Sequence, residues 1–169
     1  MKEAYRELEK RLYPLLRSQK LVIVGIGNIL HGDDGIGVLI AEEIKKSVKN
    51  VTVIIGATTP ENVLSPVIRS KPNLVLIIDA ADFGGNLGSI AVFEPSTVKD
   101  EAYFGSSHAL PISMFASAIK QELEGVTVLV VGIQTRRGFL GSKISEEVHK
   151  AANWLISFIQ EADGTSREV

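Results

Sequence analysis

The sequence predicts an α/β fold, a three-layer α/β/α sandwich around a twisted, mostly parallel five-stranded sheet with one antiparallel strand. Three observations carry that prediction. Short continuous apolar runs alternate with longer segments of helical periodicity, the pattern of strands buried on both faces and joined by crossover helices. The 169 residues can bury one sizeable core, and 45% apolar against 22% charged residues is an ordinary globular balance. One connection, Phe83 to Gly88, is too short to hold a crossover helix, so the strand after it should reverse direction.

The elements follow in order. Glu3 to Leu16 places Tyr5, Leu8, Leu12, Leu15 and Leu16 at helical spacing, an amphipathic helix on the outside of the domain. Leu21–Gly25 is the first strand, followed by an acidic loop and a helix from Gly35 to Ser47. Val51–Ile55 is the second strand, closed by Gly56, and a short helix then starts with Thr59 as its cap and Pro60 at its first position. Leu74–Ile78 is the third strand and ends at Asp79; Gly88–Phe93 is the reversed strand. A polar loop, Glu94 to Ser107, leads to His108 and a helix from about Leu110 to Leu123. Thr127–Ile133 and a helix from Ser145 to Gln160 complete the set. The expected organisation is an N-terminal helix extension (1–19), one principal domain (20–162) and a flexible tail (163–169).

Composition narrows the function classes. A net charge of −2 gives no electrostatic case for nucleic acid or an anionic membrane. The longest apolar runs are far too short to span a bilayer, so membrane insertion is not expected. The N-terminus is a charged amphipathic segment rather than a signal peptide, and a cytoplasmic location is the expectation. With no cysteine, disulfides, thiolate metal sites and a cysteine nucleophile are excluded.

The most informative stretch is Gly27-Asn28-Ile29-Leu30-His31-Gly32-Asp33-Asp34-Gly35. Its place between a strand and a helix resembles a phosphate-binding turn, but two carboxylates at a helix N-terminus repel phosphate and suit a cation. The glycine spacing also fails: Gly25 and Gly27 supply two glycines of the dinucleotide fingerprint, but Leu30 stands where the third is required. Gly56 likewise replaces the acid that would bind a ribose, which disfavours a nucleotide-binding regulator.

Working residues in such sheets collect at the carboxyl ends of strands. Asp34 follows the first strand, Asp79 ends the third, and His108 lies in the loop before a helix. Each has a plainer reading. Asp33 and Asp34 would serve as caps for the helix they precede. Asp79 would have a structural partner such as Arg69, since an unpaired charge beside a buried sheet is costly. His108 would be a hydrogen-bonder at a helix start. Taken together, two carboxylates and one imidazole with open positions suit a divalent ion such as Zn, Ni or Mn. Asp82 reads as a turn residue, and Arg136-Arg137 as a solvated turn able to contact a peptide chain. Ser106 and Ser107 lack the strained elbow of a serine nucleophile.

These residues resemble the maturation endopeptidases of [NiFe] hydrogenases. The resemblance rests on Gly25-Ile26-Gly27-Asn28, Gly32-Asp33-Asp34-Gly35-Ile36-Gly37, Ile78-Asp79-Ala80-Ala81-Asp82 and Ser107-His108, in consistent order from about residue 21 to 160. Thr59-Pro60-Glu61-Asn62 and Gly132-Ile133-Gln134 look most like the subgroup serving hydrogenase 3 of formate hydrogenlyase and related energy-converting enzymes. The resemblance implies removal of a C-terminal extension from a large-subunit precursor after nickel insertion. It implies Asp34, Asp79 and His108 as both metal-contacting and catalytic residues. It implies nickel carried by the substrate rather than a permanent cofactor, at a site that a divalent Ni, Zn or Cd ion can occupy. The same ligands would serve a non-cleaving, metal-dependent binding or chaperone protein for the precursor. There is no His-Glu-x-x-His helix of the zincin type. Two features depart from the family core. His31 stands where an apolar residue is expected, and the N-terminal helix either packs on the sandwich or mediates self-association.

Overall fold

Residues 2–18, 20–97 and 111–164 are described by a computed structural model. The three apolar runs Leu21–Ile26 (β1), Leu74–Ala81 (β3) and Thr127–Gln134 (β5) form the centre of a single sheet, with Thr52–Ala57 (β2) and Ile90–Phe93 (β4) at its edges. The order is β2-β1-β3-β5-β4. β1 pairs in parallel with β2 and β3, and β3 in parallel with β5, whereas β4 runs antiparallel to β5. The short connection after β3 therefore reverses the chain as its length requires.

Pleat alternation divides the core. Leu21, Ile23, Leu74, Leu76 and Ile78 project to one face, beneath α1 (Lys2–Ser18), α2 (Ile36–Ser47) and α5 (Glu146–Asp163). Val22, Val24, Ile26, Val75 and Ile77 project to the other, beneath α3 (Leu64–Ser70) and α4 (Ile112–Glu122). Both faces are covered, which is why β1 and β3 are apolar at nearly every position. No helix among the described residues is long and apolar enough to cross a membrane.

The first helix is more deeply packed than its amphipathic pattern suggests. Leu8, Leu12 and Leu16 are buried in the core beside α5. Tyr5 stacks on Trp154 at 4.2 Å between ring centroids, and Trp154 stacks on Phe158 at 5.3 Å. Arg11 Nη1 donates to the Val92 carbonyl at 3.1 Å, which satisfies an acceptor on the outer strand β4. The helix continues through Pro14 to Ser18.

Several expected boundaries shift, among them that of the second strand, which runs through Gly56 to Ala57 instead of closing at Gly56. β3 does not stop at Asp79, because its ladder with β5 continues through Asp79↔Gly132 and Ala80↔Ile133 to Ala81↔Gln134. The acidic loop is a tight 3-10 turn, Ile29–Gly35, kinked at His31 and Gly32, so α2 begins at Ile36. Gly88 and Ser89 belong to the turn before β4 rather than to the strand: Gly88 N–H donates to the Gln134 carbonyl at 2.9 Å. His108, the serines before it and the tail beyond residue 164 lie outside the described residues.

The chain enters the sheet at β1, runs outward to β2, then crosses back to β3 on the other side of β1. The connections leaving β1 and β3 thus diverge to opposite directions at their carboxyl ends, which opens a crevice at that point. Asp34 follows β1, and Asp79 lies near the end of β3.

Candidate functional site

The β1–α2 loop is built to hold a fixed shape. Asn28 Oδ1 accepts from Leu30 N–H at 3.0 Å, and Asn28 N–H donates to the Asp34 carbonyl at 3.0 Å, closing the loop on itself. Gly32 has φ +59°, and a side chain there would collide with Ser142 and Lys143, so only glycine lets the β1–α2 and β5–α5 loops meet.

The two adjacent acids of this loop do different work. Asp33 Oδ1 accepts from the Ser145 backbone N–H at 2.7 Å, and Asp33 Oδ2 accepts from the Ser145 hydroxyl. Ser145 is the N-cap residue of α5. Asp33 therefore anchors the start of a helix, but not the helix it precedes. That corrects the simple capping expectation: α2 starts from Gly35 without any side-chain cap. Asp34 turns elsewhere. Its Oδ1 accepts from Gly138 N–H at 3.2 Å, and its Oδ2 stands 4.0 Å from His31 Nδ1.

Asp79 is fully buried inside β3. Its Oδ1 accepts from the Ala80 N–H at 2.8 Å. Burial pushes its carboxyl well above the usual carboxylate range, the Ala80 hydrogen bond pulls the other way, and the negative charge of Asp34 adds to the rise. Arg69, the structural partner considered for Asp79, donates from Nη1 to Ser65 Oγ at 2.6 Å on its own helix. Asp34 and Asp79 thus form an acidic pair whose electrostatics favour a proton or a cation between them.

The charge of Asp34 reaches Asp79 because α2 sits flush on the sheet. Gly37 lies so close to the carbonyls of Ile78 and Ile26 that a Cβ would overlap both. Ile78 immediately precedes Asp79, so this contact sets the first turn of α2, and with it Asp34, against the end of β3. Asp79 shares its pleat parity with Val75, Ile77 and Ala81, which belong to the core under α3 and α4. His108 precedes α4 in the chain, outside the described residues. Among the described residues, no group of three or more His, Asp or Glu side chains stands together as a metal site.

Two neighbours of the acids make contacts that local sequence patterns do not show. His31, standing where an apolar residue is expected, adjoins Asp34 with its side chain 38% exposed. The signal was its position three residues before Asp34 in a kinked turn, which sequence periodicity does not reveal. Gln134 ends β5 and is buried; its Oε1 accepts from Phe83 N–H at 3.0 Å and Gly85 N–H at 2.9 Å, while its Nε2 donates to Asp82 Oδ1 at 3.0 Å. It pins the turn that follows the Asp79 strand. A polar side chain closing an apolar strand was the available clue. Asp82 acts in that turn as expected, also accepting from Gly84 N–H at 3.1 Å.

Known proteins share this fold. A family model described as hydrogenase maturation protease matches residues 38–162. The hydrogenase 3 maturation protease of Escherichia coli K12 is 33% identical over 114 residues, covering 67% of this chain and 71% of that protein. The crystal structure of a [NiFe] hydrogenase maturation protease from Thermococcus kodakarensis superposes with a TM-score of 0.81 at 31% identity, covering 91% of this chain and 99% of that one. The solution structure of an endopeptidase from E. coli gives a TM-score of 0.73 at 28% identity over 86% of this chain and 90% of that one.

Proposed function

The chain belongs to the hydrogenase maturation protease family, and from that premise we propose that it is an endopeptidase acting on a [NiFe] hydrogenase large-subunit precursor. It removes the C-terminal extension after nickel has been inserted. The observation that carries this reading is the acidic pair: a fully buried Asp79, its carboxyl raised in pKa, beside Asp34 at the crevice between β1 and β3.

The chemistry supports recognition of a metal that arrives with the substrate. Burial of Asp79 disfavours its lone ionised form, and a cation brought to the crevice removes that penalty. Asp34, Asp79 and His108 form an incomplete set of oxygen and nitrogen donors, able to complete the coordination of a nickel ion already held by the precursor. Cleavage then depends on the metal being in place. Hydrolysis needs a base toward water, and a carboxylate whose pKa burial raises is, once ionised, a stronger base than an ordinary surface acid. In this reading Asp79 is the leading base, with Asp34 and His108 as positioning groups and ligands. Loss of the extension would let the large subunit close over its metal centre.

Product mass tests the proposal. Wild-type protein, Asp34→Asn and Asp79→Asn are each incubated with nickel-loaded precursor and followed by mass spectrometry. Release of a C-terminal peptide by wild type alone supports an endopeptidase with these two acids in its machinery. Stable complex formation with no mass change in any reaction overturns it in favour of a precursor-binding chaperone.

A further inference from the structure

Six large apolar side chains are exposed among the described residues, and four of them stand in two loops beside the acidic pair: Ile29 and Leu30 before α2, and Phe139 and Leu140 before α5. Scattered exposed leucines need no explanation, but two adjacent pairs on neighbouring loops do. Phe139 and Leu140 are more than 70% exposed, and Ile29 and Leu30 more than half.

The loops carrying them are braced into one platform. Gly141 N–H donates to the Leu30 carbonyl at 2.8 Å, Ser142 Oγ donates to the Phe139 carbonyl at 2.7 Å, and Ser145 holds Asp33. The platform frames the candidate site directly, since Gly138, whose N–H donates to Asp34, precedes Phe139, and Leu30 precedes His31. Its charge is one-sided. The segment 135–144 contains Arg136, Arg137 and Lys143, all exposed, and no acidic residue, although the whole chain carries a net charge of −2. None of the three forms an ion pair with any described residue.

We infer that this platform is the docking surface for an extended segment of the protein substrate that carries apolar side chains together with carboxylates. The inference rests on the endopeptidase reading and specifies what that site recognises. Apolar side chains of the segment cover Ile29, Leu30, Phe139 and Leu140, its carboxylates meet Arg136, Arg137 and Lys143, and the chain continues inward past Asp34. Charge selects this occupant over a second copy of the protein. A two-fold interface through the platform would set the three cations of one copy against those of the other.

The test measures KM for the [NiFe] hydrogenase large-subunit precursor in the product-mass assay, alongside the Kd for the precursor. Two double variants are used, Phe139→Ser with Leu140→Ser, and Arg136→Glu with Arg137→Glu, with Lys45→Glu at the far end of α2 as the control. Both doubles should raise KM and Kd tenfold or more, the control should leave them within twofold, and added salt should weaken wild-type binding more than that of the arginine double. The altered side chains are exposed, so thermal unfolding of each variant should match wild type and certify its fold. Cleavage with unchanged KM and Kd in both doubles overturns the docking inference and leaves the endopeptidase reading standing. Absence of product with wild type sinks the endopeptidase reading, and Kd then decides: a tenfold loss in the doubles supports docking, whereas no binding or unchanged binding rejects it. Dimerisation of wild type that the Phe139, Leu140 double abolishes would assign the surface to self-association and overturn the inference.

Discussion

Replacing Asp33 by alanine separates two acids that are neighbours in sequence and opposite in purpose. The Asp33 carboxylate is 6% exposed and accepts both the backbone N–H and the hydroxyl of Ser145, tying the β1–α2 loop to the start of α5. Asp33→Ala leaves the part-buried Ser145 N–H without its acceptor, a loss of about 1–3 kcal/mol. It also removes a carboxylate from a helix N-terminus, worth about 0.3–1 kcal/mol. Together these give a destabilisation of about 1–4 kcal/mol, which in a chain of this length lowers Tm by roughly 3–16 °C. Asp34→Ala gives up a single longer hydrogen bond, to Gly138 at 3.2 Å, and should destabilise by only about 1 kcal/mol. Urea unfolding followed by circular dichroism measures both, and precursor cleavage is scored on the same preparations. Asp33→Ala should be the less stable protein and Asp34→Ala the inactive one. A Ser145→Ala, Asp33→Ala double variant should be less destabilised than the sum of the singles, because the two share one interaction. If Asp33→Ala melts within about 1 kcal/mol of wild type, or Asp34→Ala is destabilised as much, the division of labour is wrong.

Three further outcomes follow from the same contacts. The Asp79 carboxyl binds its proton more tightly in the folded than in the unfolded chain, so its contribution to stability is fully present below the unfolded pKa. That contribution is lost as pH rises through the folded value. Asp79→Asn should therefore be more stable than wild type at pH 8, with the gap closing toward pH 4 in parallel urea titrations; a gap that widens on acidification contradicts this. Gly37→Ala forces a methyl into the Ile78 and Ile26 carbonyls and should destabilise by about 1–3 kcal/mol by thermal unfolding. It should also reduce cleavage by shifting Asp34 away from Asp79, so retained activity at temperatures where the variant is folded would count against the proposed pairing. Leu12→Ala in α1 should cost about 2–5 kcal/mol, since Leu12 is fully buried, and a loss below about 1 kcal/mol would show α1 to be dispensable to the core.

The sheet was legible in the sequence because its central strands are apolar on both faces, and a short Gly-rich link before Ile90 can only reverse the chain. Asp79 stands out in the sequence because a carboxylate at the end of an apolar strand has few structural uses, and Asp34 because two adjacent acids precede a helix. What escaped was whatever depends on contacts between distant loops. No local pattern tells that Asp33 reaches Ser145 while Asp34 reaches Gly138, because both contacts span over a hundred residues. The approach of His31 to Asp34 was hidden for the same reason, since it depends on the kink at Gly32. The extension of β3 past Asp79 was hidden because Ala80 and Ala81 carry little strand signal of their own; the ladder with β5 holds them. The depth of α1 was likewise invisible, since an amphipathic stripe does not say how much of the core it covers.

On the proposed function, the acidic pair reads a metal delivered by the substrate. This is tested most directly by presenting wild-type protein with the same large-subunit precursor in nickel-loaded and nickel-free form, and weighing the products. Metal reading predicts loss of a C-terminal peptide from the loaded form alone, and no loss from either form with Asp79→Asn. Equal cleavage of loaded and nickel-free precursor would contradict it, because the pair would then act on the peptide without reading the metal.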